Sequence, residues 1–291
     1  MLDGRTALIS GSTGWDMGAT IALALASKGV NVILNFSPHR VVMSENLNAK
    51  LQGLREKIET IGTRAILIET DTRFLDEIKK TLEENISRKL TIDILVNNGG
   101  GGWSGQDIKK GDFQKYQRAF SAETRSATNC IAACLPSMRD KRWGRIVNIG
   151  FARVLELMSR VMDEPFMPGA ISHVSDLAYE SKYEIFQRHG IAEWILEKDG
   201  NVMLHRSRMR DEQRNNVTVN TISLGPGWVE RWEEIYSPLE GYHMPHSEED
   251  DWNGVRRETP ILQTVAAIVL FLCTEQAKFI TGSDISIQYM E

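Results

Sequence analysis

Three glycines near the amino end have the spacing of a loop that binds phosphate. Gly11, Gly14 and Gly18 follow a short apolar segment and precede a helix-forming stretch. A glycine-rich turn lets backbone N–H groups approach a diphosphate, and the N-terminus of the next helix adds favourable partial positive charge. Because glycines also make ordinary tight turns, the prediction depends on the elements around them. Asp16 would repel a diphosphate unless it caps the helix, and we expect it to be the N-cap.

The segments that must hold this loop alternate between apolar strands and helices. Near-continuous apolar strands separated by helices are typical of a parallel sheet covered on both faces. Strands are expected at Thr6–Ser10, Val30–Asn35, Ala65–Glu69, Ile92–Val96, Arg145–Ile149, Val217–Ile222 and Ile285–Tyr289. Helices are expected at Ala19–Ser27, over a stretch ending at about Ile61, and at Phe74–Arg88, Phe113–Asp140 and Pro260–Glu275. The pattern predicts a single α/β domain over residues 1–291, with a doubly wound parallel sheet of the Rossmann type.

Composition excludes several classes of protein. Of the 291 residues, 42% are hydrophobic and 25% charged, and the formal charge of −5 argues against a nucleic-acid surface. The three cysteines lie in apolar helical contexts without metal-ligand spacing, so we expect a reducing compartment and no metal site. No signal peptide is visible, and the longest apolar run, Val265–Cys273, is too short to cross a bilayer. A cytoplasmic protein without membrane or nucleic-acid partners is predicted.

Motifs along the whole chain resemble the short-chain dehydrogenase/reductase superfamily. Ser10–Gly18 is similar to its T-G-x-x-x-G-x-G loop with one residue inserted, and Asn97–Gly100 to its N-N-A-G motif. Residues 144–149, 219–227 and 279–282 resemble its later strands and turns. The resemblance runs from Gly4 almost to Glu291. It implies an NAD(P)-dependent oxidoreductase that acts on a carbonyl or alcohol of a small molecule.

The resemblance also implies which residues hold the cofactor. Asp71 and Thr72, after the third strand, match the family's adenine-contacting pair. Asn35 stands where NAD-binding enzymes usually place a carboxylate on the ribose, which favours NADP, with His39 and Arg40 as partners for its phosphate. The full predicted set is Gly11, Ser12, Thr13, Asp16, Met17, Asn35, Asp71, Thr72, Asn98, Gly99, Gly100, Ile149, Pro226 and Gly227.

The catalytic residues of the family are not all present. Its enzymes use a Tyr that transfers a proton, a Lys one turn later that lowers the Tyr pKa, a Ser and a helix Asn. Here Glu123 stands at the Asn position and Phe151 at the Ser position. Tyr179 and Lys182 keep a phenol and an ammonium adjacent on a helix at i, i+3. We predict Tyr179, Lys182 and Glu123 as the catalytic residues of an atypical member.

A second alignment of the Tyr and Lys positions stays open, and so do two functions other than an oxidoreductase. Counting back from strand Val217–Ile222 places Trp194 and Lys198 at the Tyr and Lys positions, which loses the proton donor. His173, His189 and His205 offer alternative acids or bases in the same irregular insertion, residues 150–215. A lyase, hydrolase or isomerase on this scaffold, or a nucleotide-binding homologue without activity, therefore remains an alternative.

Two expectations concern specificity and assembly. The aromatic and acidic segment 228–258 resembles the family's substrate lid. Family members usually form tetramers through a helix after the active Lys and through the last strand, so we expect a homo-oligomer, either a dimer or a tetramer.

Overall fold

Seven parallel strands form one sheet in the part of the chain that the structure describes. The computed structural model describes residues 2–12, 17–37, 47–85, 91–98, 113–151, 212, 214–224 and 260–287. The strands are β1 (Thr6–Ile9), β2 (Asn31–Phe36), β3 (Ala65–Glu69), β4 (Ile94–Asn97), β5 (Gly144–Phe151), β6 (Val217–Leu224) and β7 (Asp284–Ile287). The helices are α1 (Met17–Ala26), α2 (Leu47–Ile61), α3 (Leu75–Asn85), α4 (Phe113–Lys141) and α5 (Pro260–Cys273).

The strand order is β3-β2-β1-β4-β5-β6-β7. The chain adds β2 and β3 on one side of β1 and all later strands on the other side, so the order reverses between β1 and β4. Each neighbouring pair is parallel, as the apolar strands and intervening helices predicted. The prediction of a Rossmann-type doubly wound sheet is therefore confirmed. In such sheets the reversal opens a crevice at the carboxyl ends of the strands.

Alternate residues of the central strands enter two separate cores. Ala7 and Ile9 of β1 pack with the apolar faces of α1, α2 and α5, whereas Leu8 packs with α3 and α4 on the other side. The side chains of a strand alternate between faces, so a sheet covered on both faces is largely apolar at successive positions of its central strands. This explains why segments such as Ala7–Ile9 and Val32–Leu34 are apolar without interruption.

Gly29 permits the tight return from α1 to β2. Its φ is +81°, and a Cβ at this position would overlap the side chain of Asp3. Only glycine adopts this backbone conformation without strain and leaves the space that Asp3 occupies. The N–H of Gly4 then donates to Gly29 O at 2.9 Å, which fixes the amino end of the chain beside β2.

Charged and aromatic side chains crowd the amino edge of the sheet. Asp93, whose side chain is 4% exposed, contacts Arg5 at 3.2 Å and Lys141 at 3.1 Å. The ring of Trp143 lies between two guanidinium groups, with its centroid 3.9 Å from Cζ of Arg5 and 4.4 Å from Cζ of Arg145. These contacts join β1 and β4 to the end of α4 and the start of β5.

Arg145 is the largest fully buried side chain of this edge. Its Nη1 donates to Gly144 O at 2.8 Å and to Asn216 O at 2.9 Å, and its Nη2 lies 3.4 Å from Glu275. Glu275 also accepts from Nε1 of Trp143 at 2.8 Å, and that hydrogen bond lowers the pKa of the carboxyl. A buried charge needs such partners, because an unpaired one is strongly destabilising.

Candidate functional site

The ends of β1 and β4 meet at the crevice and are joined by hydrogen bonds. The N–H of Asn98 donates to Ser10 Oγ at 3.2 Å, and its amide Nδ2 donates to Gly11 O at 3.4 Å. Gly11 has φ +68°, the left-handed region that favours glycine, so the turn after β1 depends on it. The predicted cofactor residues Gly11 and Asn98 therefore lie together at the reversal point of the sheet.

Ser12 and Met17 mark the two ends of the predicted phosphate loop. The N–H of Ser12 donates to Asn35 O at 2.8 Å, and its buried hydroxyl has no hydrogen-bond partner in the part of the chain that the structure describes. Met17 is the first residue of α1 and is 3% exposed. The loop thus leads directly into a helix N-terminus, the geometry that favours an anion. Thr13, Asp16 and the proposed N-cap interaction lie outside the described residues.

Two asparagines on the neighbouring strands β4 and β5 are hydrogen-bonded to each other beside the crevice. Nδ2 of Asn97 donates to Oδ1 of Asn148 at 2.8 Å, and both side chains are buried. Within residues 2–12, 17–37, 47–85, 91–98, 113–151, 212, 214–224 and 260–287, the amide oxygen of Asn97 and the amide nitrogen of Asn148 have no partner. Buried polar atoms are rarely left without partners, so an acceptor and a donor at this edge fit a polar ligand or bound water. Ile149, half-buried, follows Asn148 on β5.

Asn35 is turned into the sheet rather than exposed at its edge. The residue is 2% exposed, and Nδ2 donates to Thr70 O at 3.0 Å. Its backbone oxygen accepts from Ser12, so one residue joins the phosphate loop to the end of β3. The structure gives its amide a role in positioning the loop. The prediction that Asn35 determines the choice between NAD and NADP stays a prediction.

Asp71 forms a bidentate ion pair with Arg73. The Nε of Arg73 lies 2.9 Å from Oδ1, and its Nη2 lies 2.5 Å from Oδ2. Hydrogen bonding to Asp71 raises the pKa of the Arg73 guanidinium. Sequence reasoning selected Asp71 but missed Arg73. An arginine two residues after a carboxylate at a strand end was the available signal.

Thr72 is fixed by helix α4. Its hydroxyl lies 2.5 Å from Ser126 Oγ, and its carbonyl oxygen accepts from Asn129 Nδ2 at 3.2 Å. Ser126 and Asn129 were also missed from the sequence. Both residues are buried on α4 near Cys130 and Ile131, and the sequence alone carries no signal that marks them as buried. Segment 70–73 is thus supported from β2 on one side and from α4 on the other.

The predicted catalytic residues fall mostly outside the described part of the chain. Glu123 lies on α4, but its side chain is not among those described. Tyr179, Lys182 and the alternative Trp194 and Lys198 lie beyond the described residues. The same holds for the three insertion histidines, for segment 228–258 and for the predicted cofactor residues Gly99, Gly100, Pro226 and Gly227. The catalytic assignment therefore stays a prediction.

The cysteines are free, buried and unreactive. Burial raises the pKa of Cys130 and of Cys273 to about 12 and raises that of Cys134 well above its ordinary value. A thiol that stays protonated is a poor nucleophile and a poor metal ligand. Among the described residues, no group of three or more His, Cys, Asp or Glu side chains is placed to hold a metal ion. None of the described helices combines the length and the apolar character that a membrane span requires.

Comparison with known proteins extends the resemblance beyond single motifs. The family described as short chain dehydrogenase matches residues 5–153, just over half of the chain. The 3-oxoacyl-(acyl-carrier-protein) reductase FabG of Staphylococcus epidermidis is 24% identical over 291 residues, a match that covers 97% of each chain. This relative spans the segments that the structure does not describe as well as those that it does.

Two solved structures share the fold. A blue fluorescent protein from a metagenomic library, in complex with NADPH, superposes with a TM-score of 0.58 at 21% identity, covering 99% of this chain and 97% of that one. A 3-oxoacyl-(acyl-carrier protein) reductase with bound NAD from Brucella melitensis has a TM-score of 0.59 at 18% identity, covering 99% and 92%. At these identities the structures support the architecture.

Proposed function

The chain belongs to the short-chain dehydrogenase family, and on that premise we propose that it is an NAD(P)-dependent oxidoreductase acting on a carbonyl or alcohol of a small molecule. The observation that carries the proposal is the crevice between β1 and β4, where Gly11, Ser12 and Asn98 meet beside the N-terminus of α1. This is where dinucleotides bind to sheets of this topology. The similar proteins with NADPH and NAD support a nicotinamide cofactor.

The residues present fit such a cofactor. The N-terminus of α1, directly after the glycine turn, suits a diphosphate. Asn97 and Asn148 supply buried amide atoms that have no partner among the described residues, on the β4–β5 side where the second nucleotide half of such sheets lies. A bound nicotinamide supplies hydride transfer, and the protein supplies its position. We further propose a preference for NADP, because the described residues at the end of β2, Asn35, Phe36 and Ser37, include no carboxylate that could hold the ribose hydroxyl groups of NAD.

The chain's own proton chemistry is assigned to Tyr179 and Lys182. A phenol transfers its proton more readily when an ammonium lies beside it, since positive charge stabilises phenolate. Glu123, on α4, stands where the family has its helix Asn and would supply a further carboxyl group to the site. Because Phe151 cannot orient a substrate oxygen by hydrogen bonding, this enzyme would depend more heavily on Tyr179 than a member with a serine there.

Assembly through the free edge of β7 also belongs to this proposal. In the described residues β7 is the last strand of the sheet and pairs only with β6. Phe271 and Phe279 are 46% and 79% exposed on α5 and just before β7, an apolar surface that suits a second copy of the chain. We propose a homodimer or homotetramer, to be checked by light scattering during gel filtration, and a cytoplasmic location consistent with three free thiols.

The test combines cofactor binding with turnover. NADPH and NADH are titrated into the full chain while protein fluorescence is followed, and a panel of carbonyl substrates is then screened for cofactor oxidation. Replacing Tyr179 by Phe removes the proton donor, so turnover should fall by about 10²-fold to 10⁴-fold while the cofactor Kd stays unchanged. Trp194→Phe serves as the control for the alternative register.

The outcomes separate the candidate functions. Cofactor binding with turnover that survives in Tyr179→Phe contradicts the Tyr179 assignment. Binding without turnover on any carbonyl or alcohol favours a nucleotide-binding homologue or a non-redox enzyme, to which Glu123 at the helix position already points. Absence of binding by either nucleotide contradicts the oxidoreductase proposal as a whole.

A further inference from the structure

Asn98 is followed in the sequence by Gly99, which stands where the N-N-A-G motif has alanine. The side-chain amide of an asparagine is open to attack by the backbone nitrogen of the next residue. A side chain on that next residue hinders the approach, and glycine has none. The Asn-Gly pair of this chain is therefore chemically less stable than the Asn-Ala pair of the motif.

The structure holds the side chain of Asn98 loosely. Its Nδ2 donates to Gly11 O at 3.4 Å, beyond the usual range of about 2.7–3.2 Å for such a bond. Within the described residues this is the one hydrogen bond that the side chain makes, and the residue is half-buried. β4 ends at Asn97, so Asn98 lies beyond the last residue of that strand. Its amide is thus free to rotate toward the backbone.

Other asparagines of the sheet are held more firmly. Nδ2 of Asn35, Asn97 and Asn220 donates at 3.0, 2.8 and 2.9 Å, and each of these residues is at most 4% exposed. A residue with a side chain follows each of the three. Among the described asparagines, Asn98 is the one that a glycine follows. Sequence and structure therefore single out the same residue.

We propose that Asn98 is a site of spontaneous deamidation and that this modification abolishes nucleotide binding in a chain whose crevice is empty. The Gly99 nitrogen forms a bond to Cγ of Asn98, the Cγ–Nδ2 bond breaks, and the amide nitrogen leaves as ammonia with the proton that Gly99 gives up. Water then opens the cyclic imide at either of its two C–N bonds. The products are aspartate and isoaspartate, and no group is oxidised or reduced.

A carboxylate at position 98 opposes nucleotide binding in two ways, and this part of the inference rests on the proposed function. A carboxylate cannot donate to Gly11 O and would face that oxygen with like partial charge. It also adds a negative charge to the crevice beside the N-terminus of α1, where the diphosphate of a dinucleotide binds. Like charges at short range repel, so the affinity for the nucleotide should fall.

A bound nucleotide should slow the modification. Asn98 bonds Ser10 and Gly11 at the reversal point of the sheet, which is where dinucleotides bind. A ligand packed against Asn98 restricts the rotation that its amide must make and excludes the water that opens the imide. Chains that carry a nucleotide therefore keep their site, whereas empty chains lose it irreversibly.

The experiment follows modification and binding in the same samples. The full chain is incubated for days at neutral and at alkaline pH, with and without saturating NADP, which is removed before measurement. Peptide mapping by mass spectrometry with isoaspartate detection reads residue 98, and titration with NADPH followed by protein fluorescence reads binding. Conversion should be faster at alkaline pH, because the attacking nitrogen must lose its proton, and binding should fall in step. NADP at a hundred times its Kd should slow both by about tenfold or more.

Two glycine variants separate this modification from other ageing. Gly99→Ala restores the alanine of the motif and should keep most of the NADPH binding of its own fresh sample when wild type has lost most of its binding. Gly254→Ala alters Asn253–Gly254, the second Asn-Gly pair of the sequence, and should lose binding as fast as wild type.

Two substitutions of Asn98 test the effect of the product directly. Asn98→Asp reproduces the aspartate without incubation and should bind NADPH about tenfold or more weakly than wild type. Asn98→Ala removes the donor to Gly11 O without adding a charge, so its loss should be smaller. Thermal unfolding of each variant confirms that folded proteins are compared.

The outcomes distinguish the inference from the proposed function. If residue 98 stays an asparagine in the empty chain at alkaline pH, or if Gly99→Ala does not slow its conversion, the modification is wrong. Conversion that leaves NADPH binding intact, or that saturating NADP does not slow, contradicts its effect on the site. If fresh protein binds no nicotinamide nucleotide, the proposed function fails, whereas the conversion of Asn98 is still decided by the mass of its peptide.

Discussion

The two edges of the sheet differ in the kind of polar group that they bury. At the amino edge, Asp93 and Arg145 are buried charges that find opposite charges nearby on Arg5, Lys141 and Glu275. At the β1–β4–β5 part of the carboxyl edge, the buried groups are neutral hydroxyls and amides. Charges paired within the chain have little to offer a ligand, whereas amide atoms without partners do.

The contrast indicates which edge holds the fold together and which one binds. Arg145 and Asp93 connect strands, a helix end and a loop, so their removal should affect unfolding. Within the described residues, Ser12, Asn97 and Asn148 each retain a buried neutral polar atom without a partner at the carboxyl edge, and at the amino edge so do Oγ1 of Thr91 and Nε of Arg145. What distinguishes the carboxyl edge is the reversal between β1 and β4, which opens a crevice beside these neutral groups. Asp71 and Arg73 are the exception at the carboxyl edge, and there the arginine remains partly exposed.

The largest expected effect lies at the amino edge. Arg145→Met removes the guanidinium donor to the carbonyl oxygens of Gly144 and Asn216, although Asn216 O still accepts from the N–H of Gly144 at 3.2 Å, and it removes the stacking on Trp143. We expect the free energy of unfolding to fall by about 3 kcal/mol, measured by urea denaturation. The Kd for NADPH of the folded variant should stay as in wild type.

The control for this change lies three residues earlier in sequence. Arg142 is exposed, and within the described residues its side chain makes one hydrogen bond, to Arg214 O at 3.1 Å. Arg142→Met should lower the unfolding free energy by well under about 1 kcal/mol. Equal losses in the two variants, or a loss of nucleotide affinity in Arg145→Met, would contradict the division between the edges.

A smaller effect is expected for Asn35→Asp at the carboxyl edge. The carboxylate cannot donate to Thr70 O and would face that oxygen with like partial charge. We expect a loss of about 2 kcal/mol in unfolding free energy and weaker binding of NADH and NADPH alike. A gain in NADH affinity would instead mean that residue 35 reaches the ribose directly, as the sequence alone suggested.

The smallest expected effect is a pH dependence at Glu275. Trp143 lowers the pKa of this carboxyl below its ordinary 4.5, so its contribution to stability is present above that value. As pH falls through the lowered pKa, protonation removes the contribution. The stability difference between wild type and Glu275→Gln should therefore shrink between about pH 5 and pH 3 in urea denaturation series. A difference that grows on acidification contradicts the Trp143 contact.

The sheet was predictable from the sequence because most strands are short, largely apolar segments that alternate along the chain with helix-forming segments. The residues at which strands and helices begin and end were less predictable. β5 runs to Phe151, two residues beyond the expected Ile149, because Gly150 and Phe151 pair with Ser223 and Leu224 of β6. Likewise α1 begins at Met17 rather than Ala19. These limits are fixed by neighbouring strands and by caps, which a local pattern does not contain.

The site was predictable only where a motif identifies a backbone position. Gly11 and Asn98 lie where the glycine turn and the Asn-Asn motif placed them. Arg73, Ser126 and Asn129 were not predicted. Their roles come from side-chain contacts with Asp71 and Thr72, made across 2 to 57 residues of sequence. The sequence does not show whether a polar residue on a helix is buried in a hydrogen bond or exposed to solvent.

Hydrogen exchange with and without saturating NADPH tests the central claim most directly, because it reads both edges in one experiment. The account predicts slower exchange in peptides covering residues 8–12, 70–74 and 96–98 at the carboxyl edge. It predicts no change at residues 3–6, 91–93 and 141–145 at the amino edge. Protection confined to the amino edge, or absent from both edges at saturating nucleotide, would contradict the assignment of the β1–β4 crevice as the cofactor site.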